Sequence, residues 1–274
     1  MVYLYRTLSY TSCTDEPCVI SMKIIYHDDY KKVYSHDPAA SEGRLDTAVE
    51  ELKSRYPFIK PEPAPVDDIK LVHTGTHISR IKSDPVEYRA ALLAAGGAVL
   101  AAEIAASGEP AFGLIRPPGH HASPDSCWGF CFFNNMGIAV KKIQKAHGVK
   151  KVFVLDFDLH TGDGNQNSLA ADPGVEIYNP DFPGGREAYM KGVRNRIGSV
   201  MNNTYDVIGC SAGFDTYEDD WGGLLRTEDY RELGSILKEL SVRTSGGKRF
   251  ALLEGGYNHR DLGKNIVSFL EGFG

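Results

Sequence analysis

Asp156, Asp158, His160 and Asp163 crowd together directly after an apolar run, Lys151-Val152-Phe153-Val154-Leu155. An apolar run closed by a Gly-rich turn, Thr161-Gly162-Asp163-Gly164, reads as a buried strand that delivers polar side chains to one end of a sheet. Along an extended strand alternate side chains share a face, so Asp156, Asp158 and His160 are expected to point together. Carboxylates packed that closely repel one another unless something positive sits among them. A divalent cation held by oxygen and imidazole answers that demand. A surface loop with spare acids is the plainer alternative, and the apolar approach argues against it.

Elements able to position this segment lie on either side of it. Short apolar runs at 23–26, 71–73, 111–115, 151–156, 175–178, 206–211 and 249–253 are expected as strands. Helical patterns cover 43–55, 76–81, 88–106, 137–147, 185–201, 227–244 and 262–269. Strand alternating with helix predicts a single α/β domain, an open, mainly parallel sheet with helices on both faces and right-handed crossovers. The proline-rich stretch 57–65 reads as an irregular surface connection.

In such a sheet the site forms beyond the carboxyl ends of the strands. Four expected strand ends carry reactive side chains beside glycines. Arg116-Pro117-Pro118-Gly119-His120-His121 follows Ile115, and the Asp/His segment follows Leu155. Ala212-Gly213-Phe214-Asp215 follows Ser211, and Glu254-Gly255-Gly256-Tyr257 follows Leu253. Taken alone, Asp215 could equally be a turn acid and Tyr257 a half-buried tyrosine after a turn.

Composition narrows the class. Hydrophobic content of 42% and charged content of 24% in 274 residues are ordinary for a soluble globular protein. A net charge of −6 gives no long-range pull toward nucleic acid or anionic membrane, and neither is expected as a partner. No apolar run is expected to approach the length that crosses a bilayer. Five scattered cysteines argue against a disulfide framework and for a reducing compartment, so a cytoplasmic location is expected. Cys127 and Cys131 lack a second pair to complete a zinc ribbon and are expected to be small buried residues. Residues 1–21 show neither periodicity nor a signal-peptide pattern, whereas Met22-Lys23-Ile24-Ile25 reads as a natural start. The expectation is a peripheral N-terminal extension over 1–21 and a catalytic domain over 22–274, with the oligomeric state open.

Five blocks occur in one order: Arg116-Pro117-Pro118-Gly119-His120-His121-Ala122, Gly129-Phe130-Cys131-Phe132-Phe133-Asn134, Asp156-Phe157-Asp158-Leu159-His160, Ala212-Gly213-Phe214-Asp215 and Gly255-Gly256-Tyr257. Together they resemble the zinc-dependent histone deacetylase superfamily, which includes acetylpolyamine amidohydrolases and acetoin-utilisation proteins. The resemblance spans about residues 22–274. It implies an arginase-like fold, one Zn²⁺ per chain and hydrolysis of an acylated amine, either a small molecule or a lysine side chain. It implies Asp158, His160 and Asp215 as metal ligands. It also implies that Asp156 orients His120 and Asp163 orients His121, the carboxylates fixing each tautomer. The histidines would share general base and general acid duties, and Tyr257 would donate to the developing oxyanion. Gly129, Phe130 and Phe182 would line a narrow tunnel, with Trp221 at its mouth. Arg44 would lie near an internal channel, and Asn179 with backbone groups from 156–160 would supply a structural K⁺ site.

The chain also departs from that pattern. Thr161 stands where a second histidine is frequent, and neither Asp84 nor Glu87 is assigned the acidic grip that eukaryotic relatives place on a peptide backbone. A small acylated amine or a flexible tail is therefore favoured over a peptide held by its main chain. Two other classes compete. One is a catalytically silent acyl-binding or scaffold module, and the other is a dinuclear arginase-like hydrolase.

Overall fold

The computed structural model describes residues 22–181 and 184–274. The expectations for residues 1–21 and for Phe182 lie outside the described residues. Seven strands form one sheet: β1 (Lys23–Ile25), β2 (Phe58–Ile59), β3 (Ala111–Gly113), β4 (Val152–Asp156), β5 (Val175–Tyr178), β6 (Val207–Ala212) and β7 (Arg249–Leu253). Their order is β2-β1-β3-β7-β6-β4-β5, and each neighbouring pair is parallel. Strands β4, β6 and β7 are buried along their whole length. Such burial on both faces explains why they read as continuous apolar runs instead of alternating ones.

Nine α-helices among the described residues flank the sheet: α1 (Asp46–Lys53), α2 (Val66–Ile69), α3 (Gly75–Ile81), α4 (Pro85–Ala106), α5 (Asn135–His147), α6 (Asp163–Leu169), α7 (Gly185–Val200), α8 (Thr227–Ser245) and α9 (His259–Phe273). Helices α1, α8 and α9 pack together, and α4 packs on α5 and on β1, β3 and β7. Their starts follow capping chemistry. Asp84 accepts from the Val86 and Glu87 amides (2.8 and 3.1 Å) ahead of Pro85, and Asn134 accepts from Gly137 at 2.6 Å. Asp84 is thereby committed to capping α4.

The open, parallel α/β expectation holds, with corrections at short elements. Residues 71–73 are not a strand. They continue the turn begun by α2, with the His73 amide donating to the Ile69 carbonyl at 2.9 Å. Conversely, the proline-rich 57–65 segment supplies β2, paired at Ile24 with Phe58 and at Ile25 with Ile59. An edge strand tolerates neighbouring prolines because one side of its backbone needs no ladder partner. Helix α4 also corrects the reading that no apolar run has membrane length. It has 22 residues, and an 18-residue window within it has a mean hydropathy of 1.5, with 56% of that window buried inside the protein. Its Ala-rich faces pack into the core, where Ala94, Ala98, Ala101 and Ala102 are fully or almost fully buried.

Candidate metal centre and active site

Four adjacent strands, β3, β7, β6 and β4, bring the reactive segments to one edge of the sheet. Strand β4 ends at Asp156, so the next residues turn and do not continue the extended alternation expected for Asp156, Asp158 and His160. The turn is held by its own acids: Asp158 N donates to Asp156 Oδ1 (3.3 Å) and His160 N to Asp158 Oδ1 (3.0 Å). Convergence is therefore reached by a carboxylate-braced bend instead of a strand face.

Ligand atoms of Asp158, His160 and Asp215 lie within 4.8 Å of one another. His160 Nδ1 is 3.4 Å from Asp158 Oδ1 and 3.5 Å from Asp215 Oδ2. The remaining carboxylate oxygens are occupied, Asp158 Oδ2 by Gly255 N (2.8 Å) and Asp215 Oδ1 by Leu159 N (3.1 Å). Asp215 Oδ2 is buried without a hydrogen-bond partner. An orphaned buried carboxylate oxygen beside an imidazole nitrogen and a second carboxylate fits a divalent metal ion. Gly255 makes the close packing possible, since a Cβ there would sit 2.6 Å from both Asp158 Oδ2 and Asp215 Oδ2. The carboxylates of Asp158 and Asp215 beside its ring push His160 up to about 10, and burial with the adjacent Asp158 pushes Asp215 up to about 6. Burial alone would raise Asp158, but the facing His120 and its hydrogen bonds hold it below the ordinary carboxylate value.

His120 and His121 stand beside this cluster with ring centroids 4.0 Å apart. His120 Nδ1 lies 3.3 Å from Asp156 Oδ2, and its Nε2 lies 3.6 Å from Asp158 Oδ1. Burial works to lower His120, yet Asp158 and Asp156 outweigh it and raise its pKa well above the ordinary value. His121 donates from Nδ1 to Asp163 Oδ1 at 2.7 Å. Burial and the charge on His120 push His121 down to about 4 despite that carboxylate. One imidazole is thus biased charged and its neighbour neutral, with Nε2 of His121 left for a reacting group.

Tyr257 closes the opposite wall. Burial and Asp158 raise its phenol far above the ordinary range, which keeps it a hydrogen-bond donor. Asp220 Oδ2 accepts from the Tyr257 and Asn258 amides (2.7 and 2.8 Å), and Arg44 fixes the preceding glycines. Fully buried Arg44 donates to the carbonyls of Gly256 (2.9 Å) and Glu254 (2.6 Å) and stacks 5.3 Å from the Tyr257 ring centroid. Trp221 lies against Tyr257, and Phe130 meets both rings edge-on. Phe130 itself has a φ of 68°, a left-handed conformation costly for an aromatic residue. Gly129 before it has a φ of 59°, and a Cβ there would lie 2.4 Å from His121 Cδ2. These side chains enclose a cavity of about 280 Å³ reaching from the two tryptophans to His120, His121 and His160.

Two overlapping stretches, residues 39–202 and 179–273, match the histone deacetylase domain. The chain belongs to that family. It is 28% identical over 302 residues to a probable deacetylase of Methanothermobacter thermautotrophicus, covering 91% of this chain and 90% of that one. It is 27% identical over 272 residues to the chloroplastic histone deacetylase 10 of Oryza sativa subsp. japonica, covering 77% of this chain. The chain spans 61% of the rice protein's length. Among solved structures, the HDA15 HD domain superposes with a TM-score of 0.80 at 22% identity, covering 92% of this chain and 89% of that one, a likeness of fold.

Within this histone deacetylase domain, the structure brings together Asp156, Asp158, His160, Asp163, His120, His121, Asp215, Tyr257, Gly129, Phe130 and Trp221. Asn179 lies beside the backbone of the 156–160 segment, its side-chain amide 3.2 Å from the Asp156 carbonyl. Cys131 is buried as expected, but Cys127 is only partly so.

Two residues carry roles that sequence reasoning did not assign. Glu254 is fully buried, and its Oε2 accepts from Gly119 N (2.7 Å) and His120 N (3.2 Å), bracing the histidine segment from β7. Burial pushes its carboxyl up to about 7. With His120 and Cys131 it forms a second ligand-like cluster, but His120 is already engaged by Asp156 and faces Asp158. Trp128 is the second, with its indole against His121. The available signal was its place immediately before Gly129, one step outside the recognised block.

Proposed function

We propose that this histone deacetylase domain hydrolyses the linear amide of an acylated amine, releasing acetate or another short acid. One observation carries the reading: a cluster of two buried carboxylates, Asp158 and Asp215, with His160 and an orphaned carboxylate oxygen adjoins one cavity with a biased histidine pair and a protonated tyrosine. Zinc held by those three residues would supply a Lewis acid for the amide carbonyl and make water acidic enough to attack near neutral pH.

The chain's own groups do the rest. His121, with Nδ1 committed to Asp163, presents Nε2 to take the proton of the attacking water. The proton then passes from the imidazole pair to the leaving amine, while Asp156 keeps His120 oriented and charged. Tyr257 donates a hydrogen bond from its phenol to the oxygen on which negative charge develops. Phe130 and Trp221 give the cavity flat apolar walls suited to an aliphatic stem, as in an acetylated lysine or polyamine.

A panel of acetyl-lysine peptides, acetylpolyamines and longer acyl-lysines tests the reading and ranks the substrates. Hydrolysis of at least one class is expected, with turnover falling by about 10²–10³ in Tyr257→Phe. Tight retention of acyl amides without product would instead identify a silent binding module.

A further inference from the structure

We infer that Trp128 is a positioning residue for the His121–Asp163 pair, an inference that rests on the hydrolytic reading above. His120 and His121 each set Nδ1 against a carboxylate, and each of those carboxylates has a further group on its other oxygen. Asp156 is fully buried; its Oδ2, which faces His120, also accepts from Asn165 Nδ2 at 3.0 Å, and its Oδ1 accepts from Asp158 N at 3.3 Å. Asp163 is far less sheltered, with 42% of its side chain exposed, and its Oδ2 accepts from Trp128 Nε1 at 2.8 Å. The same indole lies over His121 with ring centroids 3.7 Å apart and 32° between planes. Trp128 therefore grips both partners at once, one through its N–H and the other through its face.

The consequence is geometric. A carboxylate bound at only one oxygen can rotate toward water, and the imidazole it orients turns with it. With Oδ2 tied to the indole, Asp163 presents Oδ1 to His121 in one plane, and the stacked ring blocks the imidazole from swinging outward. The indole is itself 54% exposed, so nothing in the core demands a tryptophan there. Trp221 differs, since it stacks on Tyr257 and makes no contact of this kind with either carboxylate.

The test compares Trp128→Phe, which keeps a flat ring, with Trp128→Leu, which removes both grips. For a small acylated amine, kcat should fall about tenfold in the first and up to about a hundredfold in the second, with KM within about twofold. The chain has two tryptophans, so Trp221→Phe leaves Trp128 as the sole indole. In that background Asp163→Ala should shift its emission, because the indole N–H loses a charged acceptor. An active wild type with unchanged kcat in both Trp128 variants overturns the inference alone, as does a rise confined to KM or an unshifted emission. A wild type that hydrolyses no acyl amide sinks the hydrolytic reading and the inference with it.

Discussion

Trp221 lies nearly flat on Tyr257, with ring centroids 4.1 Å apart and 29° between planes. The pair is tied below the rings as well. Asp220 accepts from Trp221 N through Oδ1 (2.8 Å) and from Tyr257 N through Oδ2 (2.7 Å). A residue read from sequence as a rim aromatic is thus also the backing of the phenol proposed to steady the oxyanion.

Such a stack is worth about 0.5–1.5 kcal/mol beyond area burial. Trp221→Ala should therefore lower kcat/KM by about threefold to tenfold, while Trp221→Phe stays near wild type. The double variant with Tyr257→Phe should be no worse than Tyr257→Phe alone, because the stack acts through the phenol. Steady-state kinetics on the four proteins checks this, and fully multiplicative losses would contradict it.

Gly129→Ala should damage activity more than stability. Its φ of 59° costs an alanine about 1 kcal/mol, a modest loss in a thermal melt. The added Cβ, however, would sit 2.4 Å from His121 Cδ2, so the imidazole must move. Turnover is expected to fall by about 10² or more, since a displaced acid–base group forfeits its contribution. Comparable turnover in the variant and wild type would show that His121 is not placed by this contact.

Stability should carry an acid-side slope from His73. Burial and neighbouring His77 push its imidazole down to about 3, and Nε2 accepts from Asn134 N at 2.8 Å, so the folded ring is neutral. The unfolded chain takes up a proton below the ordinary value of 6.5, whereas the folded one does so only near 3. This stabilisation is complete above 6.5 and is lost as pH falls toward 3, at up to about 1.4 kcal/mol per pH unit. His73→Gln keeps an acceptor for Asn134 N and removes the titration. Urea unfolding between pH 7 and 4 should give the variant a shallower pH dependence, and identical slopes would refute the assignment.

Much of this is legible in the sequence because the long signals are unambiguous. Apolar runs such as 151–156, each ending in glycine and acids, announced buried parallel strands with a shared reactive edge, and β4, β6 and β7 lie there. Short elements were not readable. Phe58–Ile59 is a strand only because Ile24 and Ile25 pair with it, and nothing in its neighbouring prolines signals that partner. Helix α6, Asp163–Leu169, is too polar and brief to show a periodic face. Residues 71–73 have strand-like composition, but α2 feeds directly into them.

At the site, the ligand types and glycine-flanked turns were local features, whereas Trp128 on Asp163 and Glu254 under Gly119 join segments distant in the chain. Those contacts exist only after β3, β7 and β4 are aligned in the sheet. The bend at Asp158 is invisible in the sequence for the same reason, since the Gly255 amide that holds its carboxylate arrives from β7.

The proposed hydrolysis requires one divalent ion held by Asp158, His160 and Asp215. Metal-stripped protein titrated with Zn²⁺, with bound metal and hydrolysis of a fluorogenic acetyl-lysine followed together, tests it most directly. Activity should rise from nothing to a plateau at one equivalent, and Asp158→Ala should neither retain the ion nor regain turnover. Undiminished turnover in the stripped protein, or tight zinc binding by Asp158→Ala, would contradict the account.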